Sequence, residues 1–195
     1  MNLPNKLTVL RIILVPFFIA SLLVSFPHHY AVALFFFIIA SVTDYFDGKI
    51  ARKHNLVTDF GKFLDPLADK ILVVSALICF VSLGICDSIL VIIVLFREFA
   101  VTSVRLVAAS QGNVVAANIF GKIKTVTQMV AIIAVFLLQY TLELANLGIV
   151  PVNANLDLTF IFYVIGEILL WISTFFAILS GVIYIYQNKK YISVK

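Results

Sequence analysis

The chain has 195 residues, 63% hydrophobic and only 12% charged, with a mean hydropathy of +1.12, which excludes an ordinary soluble domain. Its net charge of +4 comes without a basic groove interleaved with stacking aromatics, so nothing points to nucleic acid. Cys79 and Cys86 are seven residues apart, outside the short CxxC spacing of metal or redox sites, and read as core thiols.

Apolar stretches at 9–26, 30–46, 71–85, 88–110, 125–141 and 159–186 mostly approach the roughly 20 residues needed to cross a bilayer. They predict an all-α, polytopic membrane protein with six transmembrane helices in one domain spanning 1–195. The first stretch is too long for a signal peptide and lacks an early small-residue cleavage site, so it is expected to be retained. The second ends in SVTDYFDGKIAR, which places Asp44 and Asp47 in its last turns. A polar turn follows, with Gly48, Ala51 and Gly61 small, Lys49, Arg52, Lys53 and Lys62 basic, and His54 a solvated loop residue. Thr58 or Asp59 would cap the third helix, and Pro66 falls near its beginning. The fourth carries Arg97, Glu98 and Arg105, Lys122 and Lys124 precede the fifth, and Trp171, Tyr184 and Tyr186 in the sixth read as interfacial anchors.

The fourteen Lys and Arg residues recur at every second helix boundary. The connections around 27–30, 84–88 and 141–157 contain none, the bias expected of external loops. Both termini are therefore expected in the cytoplasm, with the protein in the cell membrane and its positive side against anionic headgroups.

Asp44, Asp47, Asp65 and Asp69 lie within one 26-residue window. Spacings of three and four put each pair on one side of its helix, about 40–60° apart. Ionised groups at membrane depth must pair, bind metal or face water. Four converging carboxylates would repel, and hard oxygen donors with no His or Cys in ligand spacing favour Mg²⁺, Mn²⁺ or Ca²⁺. The alternative is that Arg52, Lys53 and Lys70 simply neutralise the acids. Gly48, Ala51 and Gly61 leave room for a flat group such as a nucleotide, or else serve close helix packing.

Read together, Asp44-xx-Asp47-Gly48-xx-Ala51-Arg52, eight residues, then Gly61-xxx-Asp65-xxx-Asp69 resembles the signature of the CDP-alcohol phosphotransferase family. The resemblance implies a six-helix membrane enzyme, usually a homodimer, that transfers a phosphatidyl or similar group from a CDP-linked donor to an alcohol and releases CMP. It implies two ions, Mg²⁺ or Mn²⁺, on the four aspartates, with Asp69 as general base. It also implies a CDP-lipid site comprising Asn5, Thr8, Arg11, Asp44, Gly48, Ala51, Arg52 and Gly61. Asn5, Thr8 and Arg11 could instead be a helix cap and an interfacial anchor.

Arg97 and Arg105, about 80° apart on one helix, could join Lys122 and Lys124 in a cationic pocket for an acceptor phosphate. Alternatively Arg97 pairs with Glu98 or a metal-site carboxylate, and the lysines only follow the positive-inside pattern. The segments PNKLTVLR, REFAVT-xx-R and GKIKT are similar to family members that use sn-glycerol 3-phosphate with CDP-diacylglycerol; inositol phosphate is the alternative acceptor. A divalent-cation transporter is the rival from another class, and a structural scaffold the third reading.

Overall fold

A computed structural model describes residues 3–54, 59–113, 118–151 and 157–192; within these, only the helical backbone is described for 3–4, 44–54, 59–67, 69, 190 and 192. Among the described residues the regular structure is all helix: α1 (Leu3–Leu23), α2 (His29–His54), α3 (Asp59–Ser82), α4 (Ser88–Ser110), α5 (Ile119–Asn146), α6 (Leu158–Gln187) and a single-turn α7 (Lys189–Ile192). Each of the six long helices contains most of one of the six apolar stretches, though α1, α2 and α3 run beyond theirs at the polar end. Asn5–Leu23, Ile119–Asn146 and Leu158–Gln187 are long and apolar enough to cross a membrane, and His29–Thr43 and Lys70–Ser82 are shorter apolar stretches. This is a membrane protein with several apolar helices.

Sequence chemistry sets the helix ends. Asp87, Asn118 and Asp157 accept from the backbone N–H groups of Ile89, Gly121 and Phe160 at 2.9, 2.9 and 3.0 Å, each satisfying a donor that the first turn leaves orphaned. At the other end Gly84 takes φ +68, and Ile85 N–H closes back onto Phe80 O at 2.8 Å. The N-terminus of α2 is capped from another helix: Glu143 on α5 accepts from His29 and Tyr30 N–H at 3.0 and 3.4 Å.

Helices α1, α2 and α3 pack together, as do α4 and α6 and α5 and α6, with further contacts of α2 and α3 on α5 and of α3 on α4. Phe136 on α5 joins the two groups. Its ring lies 5.9 Å from Phe18, 5.8 Å from Phe37 and 5.0 Å from Phe80, so α1, α2, α3 and α5 meet on one aromatic cluster. Lipid tails are as apolar as Phe, so this packing, rather than escape from water, holds such helices together.

Four details depart from the sequence reading. Helix α2 runs on to His54, so Gly48–His54 is helical rather than a turn and His54 is the last helical residue, not a loop residue. The segment KIARKH explains this, being rich in helix formers with basic residues toward the negative end of the helix dipole. Asp44 and Asp47 therefore stand two to three turns inside α2. Pro66 falls seven residues after Asp59, beyond the first turn of α3. Of the expected caps, Asp59 is the first residue of α3, and Thr58 lies outside the described residues. Tyr184 is no interfacial anchor: it is buried, whereas Trp171 and Tyr186 are exposed.

Phe136→Ala should lower the unfolding free energy by about 3 kcal/mol or more. Phe99→Ala, which truncates an exposed ring, should shift it little; chemical denaturation in detergent would compare the two.

Candidate functional site

One end of the bundle gathers the N-terminal ends of α1, α3 and α5 with the C-terminal ends of α2, α4 and α6. Lys70 contacts Thr102, Asn118 donates to Gln187 at 3.4 Å, and Gln111 donates to Tyr191 O at 3.3 Å. Among the described residues, the Lys and Arg positions lie toward this end. The opposite end carries Asp87, Glu143, Asp157 and Glu167, and these are structural: three cap helices, and Glu167 accepts from Asp87 N–H at 2.7 Å.

On α1, Asn5, Thr8 and Arg11 recur every three residues and so share one face. All three are buried and all have partners. Arginine within an apolar helix requires such an assignment. Helix α1 packs on both α2 and α3, which themselves touch. Asp44 and Asp47 on α2, and Asp65 and Asp69 on α3, are thus carried by two adjoining helices. The side chains of these four, and those of Gly48, Ala51, Arg52 and Gly61, lie outside the described residues, so the expected metal and CDP-lipid positions are located only to their helices. Among the described residues no three His, Cys, Asp or Glu side chains gather as a metal site.

The best-defined polar group centres on Glu98. Its Oε1 accepts from Lys124 at 2.6 Å and from the Arg97 guanidinium at 2.8 Å, and Lys70 Nζ stands 3.9 Å from Oε2. Arg97 also donates to Ser180 Oγ at 2.7 Å, and Thr102 donates to Glu98 O at 2.7 Å. Residues of α3, α4, α5 and α6 thus meet at one point. Three cations share one carboxylate, so among the described side chains positive charge exceeds negative around the buried Arg97–Glu98–Lys124 core, and a site of that kind attracts an anion.

The sequence alternatives now separate. Arg97 does pair with Glu98, and Lys124 is buried on the same carboxylate. Arg105 lies one helix face away, donating to Tyr184 Oη at 3.3 Å with its guanidinium 5.4 Å from that ring. Lys122 is exposed, because two residues along α5 turn it about 200° from Lys124. The structure therefore brings Arg97 and Lys124 together, sets Arg105 beside them on α4, and leaves Lys122 apart.

Sequence reasoning considered Glu98 only as a partner for Arg97 and missed its role as a centre for three cations. It also missed Thr102, Ser180, Gly181 and Gln128. A signal existed in the four-residue spacings Glu98–Thr102 and Lys124–Gln128, and in the small residues Ser173, Thr174, Ala177, Ser180 and Gly181 on one face of α6. Gly181 has a specific reason: a Cβ there would fall 2.9 Å from Arg97 Cγ. Cys79 and Cys86 are free and buried, as expected of core thiols. Burial, with Glu167 and Asp87 nearby, pushes the Cys86 thiol up to about 12, so it stays protonated and non-nucleophilic.

Comparison with known proteins adds the following. The profile of the CDP-alcohol phosphatidyltransferase family matches residues 1–179. The CDP-diacylglycerol–glycerol-3-phosphate 3-phosphatidyltransferase of Bacillus subtilis (strain 168) is 42% identical over 199 residues, covering 96% of this chain and 95% of its own. The enzyme of the same name from Rickettsia bellii is 39% identical, covering 97% of each chain. That from Wigglesworthia glossinidia brevipalpis is 34% identical, covering 95% and 94%.

Removing the central carboxylate should be costly, since it strands buried cations. Glu98→Ala is expected to destabilise by about 3–5 kcal/mol. The double variant Glu98→Gln/Lys124→Met should recover part of that loss in a thermal or denaturant melt.

Proposed function

The chain belongs to the CDP-alcohol phosphatidyltransferase family, and from that premise we infer that it transfers the phosphatidyl group of CDP-diacylglycerol to sn-glycerol 3-phosphate. The products are phosphatidylglycerophosphate and CMP, a step of phospholipid biosynthesis. Near full-length similarity to enzymes named for this reaction supports the acceptor. The observation that carries the reading in the structure is the Lys70, Arg97 and Lys124 group around Glu98, because its surplus positive charge suits an acceptor that brings its own phosphate. Serine or an uncharged alcohol would leave that charge unanswered.

In this reading the acceptor phosphate docks against Arg97 and Lys124, with Arg105 flanking them on α4; Lys122, turned away on α5, takes no part. Arginine supplies a planar fork and lysine a point charge. The nucleotide lies along Gly48, Ala51, Arg52 and Gly61, with Asn5, Thr8 and Arg11 of α1 on the donor side. The free primary hydroxyl of glycerol 3-phosphate attacks the lipid-bearing phosphorus of CDP-diacylglycerol. A new P–O bond forms, the P–O bond to CMP breaks, and the hydroxyl proton passes to the Asp69 carboxylate. Direct transfer in a ternary complex is preferred, because the aspartate window contains no Ser or Cys and only His54, which leaves no obvious covalent nucleophile.

Asp44, Asp47, Asp65 and Asp69 fit a pair of Mg²⁺ or Mn²⁺ ions, being hard oxygen donors on two helices that touch each other. When bound, such ions neutralise the pyrophosphate and the charge on departing CMP.

The topology of this reading has six crossings with both termini in the cytoplasm, so the site faces the cytoplasmic side of the cell membrane, and the assembly is a homodimer. A divalent-cation transporter would need acidic groups free to line a path to the opposite face. There, Asp87, Glu143, Asp157 and Glu167 are engaged in caps and helix links.

CMP release from CDP-diacylglycerol should depend on glycerol 3-phosphate and stop when divalent ions are chelated. Release that is indifferent to every alcohol tried would return the transporter. Asp69→Asn should lower turnover by about 10²–10⁴-fold while CDP-diacylglycerol binding persists. Arg105→Ala should raise KM for glycerol 3-phosphate about tenfold or more, with little change for the lipid donor; equal effects on both substrates would make Arg105 structural.

A further inference from the structure

Resting on the transfer to glycerol 3-phosphate inferred above, we propose that Gln128 recognises the acceptor's second, unreactive hydroxyl and so sets specificity for a hydroxyl adjacent to the attacking one. Gln128 follows Lys124 by four residues, which stacks it on the same face of α5 about 6 Å deeper in the bundle. Its side chain is only 3% exposed, and its Nε2 is buried with no hydrogen-bond partner. Buried amide donors are nearly always satisfied, so an orphan of this kind calls for a reason. Structural use would give that Nε2 a partner within the fold; among the described residues it has none.

Its position supplies the reason. Beyond Gln128 the buried face of α5 continues as Ala131, Ile132, Val135 and Phe136, all core residues. Gln128 is therefore the last polar side chain on that face before this apolar stretch, one turn beneath Lys124 and the cations that would hold the acceptor phosphate. Arg97 Nε, in the group just above, is likewise buried without a partner.

Glycerol 3-phosphate places its C2 hydroxyl two carbons along from the phosphate ester oxygen, a reach comparable with one helical turn of ~5 Å. An amide answers a hydroxyl well because both can donate and accept. Being neutral, it selects against a second anion where an Arg or Lys would not. A site that leaves its own polar group unpaired with the wrong substrate discriminates strongly against an analogue lacking that hydroxyl.

The experiment compares sn-glycerol 3-phosphate with 3-hydroxypropyl phosphate, which lacks only the C2 hydroxyl, in CMP release by the purified full chain with CDP-diacylglycerol. The unmodified protein should favour glycerol 3-phosphate by about 10- to 100-fold in kcat/KM. Gln128→Leu and Gln128→Met should erase that preference by lowering the glycerol 3-phosphate value alone. The 3-hydroxypropyl phosphate value and KM for CDP-diacylglycerol should stay put. Both variants should melt no lower than the parent, since each removes an unpaired buried amide. Equal losses on both acceptors, an unchanged preference, or a marked fall in melting temperature in both variants would overturn the assignment. No CMP release from the unmodified protein with either acceptor would instead overturn the transfer reaction, and the assignment with it.

Discussion

A carboxylate among helices as apolar as these is tolerable only with cations against it. Glu98 meets that demand with Lys124 from α5, Arg97 beside it on α4 and Lys70 from α3, while Arg97 reaches on to Ser180 of α6. One desolvated charge therefore fixes the rotation of four helices about their axes. A helix turned by one residue, about 100°, would withdraw its partner and strand a charge in a low-dielectric place. The small side of α6 belongs to the same constraint, because Gly181 is the surface on which the Arg97 stem lies.

The rest of the bundle divides around that requirement. Polar groups occupy one end: Asn5, Thr8 and Arg11 on α1, the Glu98 group, and Arg105 with Tyr184. Deeper in, Phe18, Phe37, Phe80 and Phe136 close the middle. At the far end the carboxylates are consumed in holding helix N-termini, so they add order there. The aspartate-bearing helices α2 and α3 lean on α1 beside the polar end. A phosphate-rich donor and a phosphate-bearing acceptor need a place of that kind, with fixed positive charge near acids and apolar walls behind.

Stability and function pull against each other here. The ion group is a poor way to hold helices together compared with well-packed apolar residues of the same volume. Among the described residues it leaves more positive charge than it neutralises, and Gln128 beside it leaves its Nε2 unanswered. Both features weaken the fold taken alone, and both are intelligible if the surplus is directed at a ligand.

The chain's own order of residues determines much of this. Six long apolar stretches mark six long helices, with α4 at 88–110 to the residue, because charge and turn chemistry punctuate them: Asp87, Asn118 and Asp157 at the starts, Gly84 and Gly148 past the ends. The aspartate spacing and its interleaved Gly, Ala and Arg identify the family, since that pattern is local and needs no partner to be read. Three-dimensional packing decided what spacing cannot express. The length of α2 past Gly48 was hidden because a polar, basic run reads equally as a turn or as the end of a helix. By sequence Tyr184 reads as an interfacial ring, whereas in the bundle Arg105 of α4 lies against it. The partners of Arg97 and Lys124, 26 or more residues from Glu98 in the case of the lysine, and of Ser180 further still, depend on which helix faces meet. Periodicity tells which side of a helix is polar; only the packed bundle tells what that side touches.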